Sequence, residues 1–316
     1  MGKKVIVDMD PGIDDAIAIM LACKSPELEI LGITTVGGNV PLEKTTKNAL
    51  RILEFVGAVN IPVYAGMRGP IFGELRTAEF VHGQDGLGDV DLPEPRAKPA
   101  KGHAVDFIRK EVMENSPKEL SIVATGPLSN VALALLLEPE IAQRLSSIVI
   151  MGGAYATTPW GYGNESPRAE FNIATDPLAA KIVFNSGAEI YAFGLDVTMR
   201  PDAGISRSHY QEIGKAGTKT GDLIHKMLRR FVHLIEPVPM HDPMALAYTI
   251  KPELFKFRKL HVDVEVCGTL TRGETLADLR EWLPESFRKP ANANICVDLD
   301  GRAFVDFLLS RVVYGD

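Results

Sequence analysis

Short runs of apolar, often β-branched residues alternate along the chain with longer stretches whose apolar positions recur every three or four residues. The runs 4–8 (KVIVD), 29–36 (EILGITTV), 61–65 (IPVYA), 120–125 (LSIVAT), 147–151 (SIVIM) and 189–195 (EIYAFGL) predict strands, and 259–266 with 293–299 predict a later pair. Helical spacing covers about 14–23, 42–56, 102–114, 128–137, 176–186, 218–234, 242–250 and 302–313. Strands that are apolar throughout are buried on both faces, and the helices between them supply the cover. The pattern predicts an α/β fold: one open, mainly parallel β-sheet flanked by helices, as a single domain over 1–316. Two stretches break the rhythm, about 67–100, rich in Gly, Pro and Asp, and about 154–172. Irregular insertions of that length are usually functional or disordered.

Composition narrows the partners. The 316 residues are 46% hydrophobic and 24% charged, enough chain for a large core. A net charge of −7 argues against nucleic acid or an anionic membrane as the main partner. No run of about 20 apolar residues is present to span a bilayer. "MGKKVIVD" leads straight into the first strand with no secretory pattern, so the expected location is cytoplasmic. Cys23, Cys267 and Cys296 are isolated in apolar runs and predict reduced core thiols.

In open α/β sheets ligands bind beyond the carboxyl ends of the strands. Those ends read "DMDPGIDD" (8–15), "GGN" ending at Asn39, "TGPLSN" (125–130) and "GGAYATTPWGYGNESPRAEFN" (152–172). Asp14 and Asp15 fall at a helix start, where carboxylates are favoured, and Asp8 could bond turn amides. Together with Asp10, however, four acids exceed what capping needs and call for a cation. Oxygen donors suit Ca²⁺ or Mg²⁺. EF-hand spacing is absent, since the twelfth residue counted from Asp8 is Ile19. Haloacid dehalogenase-type phosphatases also begin D-x-D after a first strand, but they require Thr or Val where this chain has Gly12. Asp242-Pro243 and Asp176-Pro177 have the N-cap pattern. His241, next to Asp242, is the kind of side chain best able to hand over a proton near neutral pH. His103, His209, His233 and His261 read as bystanders.

"DxDPGxDDA" after the first strand resembles the opening signature of the inosine-uridine nucleoside hydrolase family. The likeness continues through "TTVGGN" (34–39), "HGQDGLG" (82–88), "ATGPLSNVA" (124–132), "IVIMGGA" (148–154), "AEFNIATDP" (169–177) and "HDPMA" (241–245), in the family's order over nearly the whole chain. The resemblance implies Ca²⁺ held by Asp10, Asp15 and Asp242 with the main-chain carbonyl of Thr125. It implies ribose hydroxyls bonded by Asp14, Asn39, Asn164, Glu170 and Asn172, with backbone around Met151 lining the sugar. It places His82 near the nucleobase and makes His241 the acid for the leaving group. The implied reaction is hydrolysis of a ribonucleoside N-glycosidic bond, in nucleoside salvage. Asp10 takes a proton from water at the cation, and the transition state is oxocarbenium-like. The helix 218–234 should face the base and offers His225, Arg229 and Phe231, where family members often carry tyrosines; Trp160 is a stacking candidate. A homodimer or homotetramer is expected. Two alternatives are kept: a nucleoside- or ribose-binding protein without turnover, and a Mg²⁺-dependent D-x-D phosphatase. The presence of both Asp10 and His241 counts against the first.

Overall fold

The structure is a computed structural model and describes residues 2–315. In chain order its strands are β1 (Lys3–Met9), β2 (Leu28–Thr35), β3 (Val63–Ala65), β4 (Leu120–Ala124), β5 (Ser147–Met151), β6 (Ile190–Phe193), β7 (Gly204–Ile205), β8 (Val238–Pro239), β9 (Phe255–Leu260), β10 (Val262–Val264), β11 (Thr275–Ala277) and β12 (Ala293–Leu299). Eight of them form one sheet in the order β3-β2-β1-β4-β5-β6-β12-β9. All neighbours in it are parallel except β9, which runs antiparallel to β12 at the edge. The α/β class and the parallel sheet are as expected from the apolar strands.

Side-chain alternation along β1 explains the layering. Val5, Val7 and Met9 enter one core with the helices Ile13–Cys23, Leu42–Phe55, His241–Ile250 and Gly301–Val312. Ile6 enters the other, with Ala104–Glu114, Ser129–Leu137 and Pro177–Phe184. Successive residues of a strand point to opposite faces, so an apolar run is required on a strand covered twice. β1 lies between β2 and β4, from which the connections lead away to opposite sides of the sheet. That reversal opens a crevice at the carboxyl ends of β1 and β4.

Two element boundaries and the burial of one cysteine differ from expectation. The predicted strand 259–266 is cut at His261: Phe255–Leu260 pairs with β12, and Val262–Val264 turns away to pair with β11. The predicted helix 218–234 stops at Leu228, after which Arg229 and Arg230 are exposed and a 3₁₀ turn covers Phe231–His233. Cys267 is exposed, because it sits in the turn between β10 and β11, whereas Cys296 is buried and Cys23 half-buried. Within the first insertion only Glu79–His82 is helical.

Asp176 caps the helix Pro177–Phe184, as its Asp-Pro pair predicts, by accepting the Ala179 N–H at 3.0 Å. It also accepts the Ile71 N–H at 2.7 Å and the Ser129 hydroxyl at 2.6 Å, so it ties the first insertion to the sheet. Loss of a cap costs about 0.5–2 kcal/mol, and orphaning a buried donor costs roughly 1–3 kcal/mol. Asp176→Ala should therefore destabilise by about 2–4 kcal/mol in urea unfolding. The exposed control Asp306→Ala should cost under about 0.5 kcal/mol. Equal midpoints for the two variants would contradict this role.

Candidate active site

The acidic turn is built where β1 ends. Asp8 does not bond turn amides. Its Oδ1 accepts the Thr34 hydroxyl at 2.6 Å and the Asn130 amide at 2.8 Å, across the neighbouring strands. Its Oδ2 is buried without a partner, and burial pushes its pKa up to about 6. Asp10 follows at the strand terminus, where its Oδ2 accepts the Asn39 N–H at 2.7 Å and its Oδ1 is buried and unpartnered. Gly38 and Gly126 hold this carboxylate closely. A Cβ at Gly126 would lie 2.6 Å from Oδ1, and one at Gly38 would overlap Oδ2.

The turn then feeds the helix Ile13–Cys23. Asp15 reaches back to the Gly12 N–H at 2.9 Å, and takes bonds from the Asn39 amide at 3.1 Å and the Thr125 hydroxyl at 3.2 Å. Asp14 keeps Oδ1 buried and unpartnered. Asp242 does not cap the helix His241–Ile250 as its Asp-Pro pair predicts: the N-cap position is Met240, without a side-chain bond, and Asp242 lies within the first turn and enters the cluster from there. Asp14, Asp15 and Asp242 each bring an oxygen within 4.8 Å of the others. Burial raises the pKa of all four acids Asp10, Asp14, Asp15 and Asp242. Repulsion from Asp15 adds to this at Asp10 and Asp14, and repulsion from Asp14, Asp15 and Asp10 adds to it at Asp242. Orphaned carboxylate oxygens in a buried, mutually repelling set are the donor chemistry of a hard divalent cation. The residues present fit such an ion.

A pocket opens above this cluster. Its polar side is lined by Asp14, Asn39, Thr125, Met151, Asn164, Glu170, Asn172 and Asp242. Each of the neutral amides there is held by the frame. Asn172 donates to the carbonyls of Thr125 at 2.9 Å and Met151 at 3.1 Å, and Asn164 Oδ1 accepts the Phe171 N–H at 2.9 Å. Glu170 caps the helix Phe171–Thr175 through the Asn172 and Ile173 N–H groups and also accepts that of Gly153. The opposite wall is Ala78, Phe80, Val81, His82, Phe231 and His241. Asp10 and Asp15 lie beneath the floor, fully buried.

The histidines differ sharply. His82 is buried, its Nδ1 accepts the Ile13 N–H at 3.1 Å, and its ring stands edge-on to Phe231. Burial, and then the neighbouring His241, push its pKa down to about 3, so it is neutral. His241 is half-buried, with Nδ1 2.7 Å from the Thr198 hydroxyl. Burial lowers its pKa, and Asp14 partly offsets that. His225 stands outside the pocket, stacked on Tyr210 and bonded to that residue's carbonyl. Arg229 is exposed beyond the end of its helix. Neither they nor Trp160 lines the pocket, whereas Phe231 does.

Sequence reading missed Phe80, Val81 and Thr198. The first two lie in an insertion with no periodicity to mark them. Thr198 belongs to the short helix Leu195–Thr198, for which no motif gives a signal.

The family model for inosine-uridine preferring nucleoside hydrolase matches residues 5–306. The chain is 40% identical over 319 residues to the pyrimidine-specific ribonucleoside hydrolase RihA of Photobacterium profundum, covering 99% of each. It is also 40% identical over 306 residues to the inosine-uridine preferring nucleoside hydrolase of Leishmania major, covering 95% of this chain and 94% of that one. Among solved structures it superposes on a plant nucleoside hydrolase, the PpNRh1 enzyme, with a TM-score of 0.91 at 35% identity over 99% of both chains. It superposes on the purine-preferring ribonucleoside hydrolase from Gardnerella vaginalis with a TM-score of 0.89 at 33% identity, again over 99% of both. A family match over nearly the whole chain sets aside the phosphatase alternative, and the chain belongs to the inosine-uridine preferring nucleoside hydrolase family of N-glycosidases.

Proposed function

We propose that this protein hydrolyses ribonucleosides to ribose and free base with Ca²⁺ at the acidic cluster. The observation that carries the reading is the set of buried, unpartnered carboxylate oxygens directly under a pocket with one polar side and one aromatic side. Asp10, Asp15 and Asp242, with the Thr125 carbonyl, would hold the ion, and Asp14 stands close enough to join them. When bound, Ca²⁺ neutralises the acids, lowers the pKa of water and grips a vicinal diol.

The protein's own groups then divide the work. Asp10 Oδ1 is the free basic atom at the strand end and accepts the proton of the attacking water. That water bonds to the anomeric carbon as the carbon–nitrogen bond to the base breaks. Asp14, Asn39, Asn164, Glu170 and Asn172 orient the ribose hydroxyls, and distributed binding of this kind can favour a flattened sugar ring. His241 hands a proton to the departing base nitrogen. His82 is already bonded through Nδ1, so it serves as a fixed neutral N–H donor at the base end. The aromatic wall of Phe80 and Phe231 supports the base by contact. Relatives at the same 40% identity bear pyrimidine-specific and inosine-uridine preferring names, so this wall, more than overall likeness, sets base choice.

Free ribose released from a nucleoside panel is the direct test. Removal of Ca²⁺ by a chelator should abolish release and lower the melting temperature, and added Ca²⁺ should restore both. The melting loss should depend on pH in a defined direction. Asp14 has its pKa raised to about 6 in the folded chain from an ordinary 3.8. Between those values the folded state binds more protons than the unfolded one, so the stability of the calcium-free protein falls as pH rises. The chelated protein should therefore melt higher at pH 5 than at pH 7.5, and calcium should stabilise most at the higher pH. A calcium effect on melting that is absent at pH 7.5 would remove the cation from this site.

Asp10→Asn should lower turnover by at least about 100-fold, the lower end of a general-base contribution. It removes one buried negative charge, so the calcium-free variant should melt no lower than the calcium-free wild type. Retention of more than about a tenth of wild-type turnover would mean that another group is the base.

A 2′-deoxynucleoside should be cleaved about 10⁴-fold less efficiently in kcat/KM, because polar groups built for the missing hydroxyl are left unpaired. Comparable values for uridine and deoxyuridine would refute the diol clamp.

A further inference from the structure

His241 is the first residue of its helix and stands at the pocket wall, where a half-buried imidazole has several rotamers open to it. One contact removes that freedom. Its Nδ1 lies 2.7 Å from Oγ1 of Thr198. Thr198 is fully buried at the end of the helix Leu195–Thr198, and its N–H is anchored on the Gly194 carbonyl at 3.2 Å. A β-branched side chain on a fixed backbone has few rotamers, so the hydroxyl is a rigid post. Among the described residues the ring is the one hydrogen-bond partner of this hydroxyl. With Nδ1 occupied, Nε2 is the nitrogen left for a ligand in the pocket.

We propose that Thr198 is the positioning residue for the leaving-group proton. It fixes the His241 ring so that the Nε2–H faces the departing base. This inference rests on the reading of His241 as the proton donor.

A hydroxyl suits the task because it both donates and accepts. When the ring carries both protons, Nδ1–H donates to Thr198 Oγ1. As the base nitrogen takes the Nε2 proton and the carbon–nitrogen electron pair moves to the base, the Nδ1–H bond persists and the ring stays in place. In the other neutral tautomer the Thr198 O–H donates to Nδ1, and the ring keeps the same orientation. A methyl group at this position offers neither bond. The same helix also anchors the second insertion, because Asp196 accepts the N–H groups of Tyr155 and Thr157. The ring and the loop bearing Asn164 are therefore held by one four-residue element.

The test is kinetic and uses two substrates on the intact enzyme with Ca²⁺. Inosine needs its base protonated to leave; p-nitrophenyl riboside has a leaving group stable as an anion and needs no proton. Thr198→Val should lower kcat on inosine by about 10–100-fold, the scale on which outer partners of functional histidines act, with KM changed less than about threefold. On the nitrophenyl riboside, kcat should stay within about threefold of wild type. Thr198→Ser, which restores the hydroxyl, should recover most of the inosine rate. His241→Ala, assayed beside them, should lose about 10²–10⁴-fold on inosine alone. If His241→Ala shows that selective loss while Thr198→Val keeps the wild-type inosine rate, the positioning role is overturned and the donor role of His241 stands. Equal losses on both substrates by Thr198→Val, or no recovery with serine, likewise overturn it in favour of a packing role. If His241→Ala itself loses equally on both substrates, both readings fall together.

Discussion

The rest of the site depends on negative charge concentrated where burial leaves it little solvent screening. Asp10, Asp14, Asp15 and Asp242 come from two distant parts of the chain and meet in a buried space, where burial and mutual repulsion raise the pKa of each. Such an arrangement is unfavourable in isolation. It persists because the frame around it is over-determined. β1 is pinned by parallel strands on both sides, glycines leave no room for displacement of Asp10, and Asn39 bonds Asp10 and Asp15 at once. Apolar cores on both faces of the sheet supply stabilisation that offsets this cost.

From that constraint the two halves of the pocket acquire different characters. The polar half is made of residues at strand ends, helix starts and the second insertion, and Asn39, Thr125, Asn164, Glu170 and Asn172 each have a bond to the frame. Asn172 bridges β5 to the loop after β4, Glu170 caps a helix, and Thr125 steadies Asp15. The aromatic half comes from the insertion carrying Phe80 and His82 and from the turn carrying Phe231. These segments are bonded both to the frame and to each other: His82 accepts the Ile13 N–H, the Ala78 N–H donates to the Asn39 carbonyl, Asp176 accepts the Ile71 N–H, and Arg230 of the turn bonds the Phe80 carbonyl and Asp89 of the insertion. The polar half thus belongs to the sheet edge and the helix starts beside it, and the aromatic half to segments added around them.

The sequence disclosed what local chemistry governs. Apolar runs marked the main parallel strands because burial on both faces leaves no polar alternation. The crowded aspartates marked the cation site because no capping scheme uses four at once. The cut at His261 and the early end at Leu228 were not legible, since each is set by which distant segment the chain pairs with. The same holds for individual contacts. His82 meets Ile13 across 69 positions and His241 meets Thr198 across 43, and neither pairing leaves a periodic trace. His225 and Arg229 were suited to the base only through the family resemblance, which turns their helix towards it, but the packing sets His225 against Tyr210 and leaves Arg229 in solvent.

The double employment of the polar residues bears on how such a protein can change over generations. On the proposed reading, a substitution at Asn39, Glu170 or Asn172 disturbs ribose contact and scaffold in one stroke, so any single step away from them loses twice. Phe80 has 74% of its surface exposed, and the bond it takes from Arg230 is to its main-chain carbonyl, so side-chain substitutions there meet little structural resistance. On the same reading, a lineage built on this frame is free to drift in which bases it accepts while remaining tied to the sugar, and divergence in base preference among descendants that still share the acidic turn is the outcome such an architecture favours.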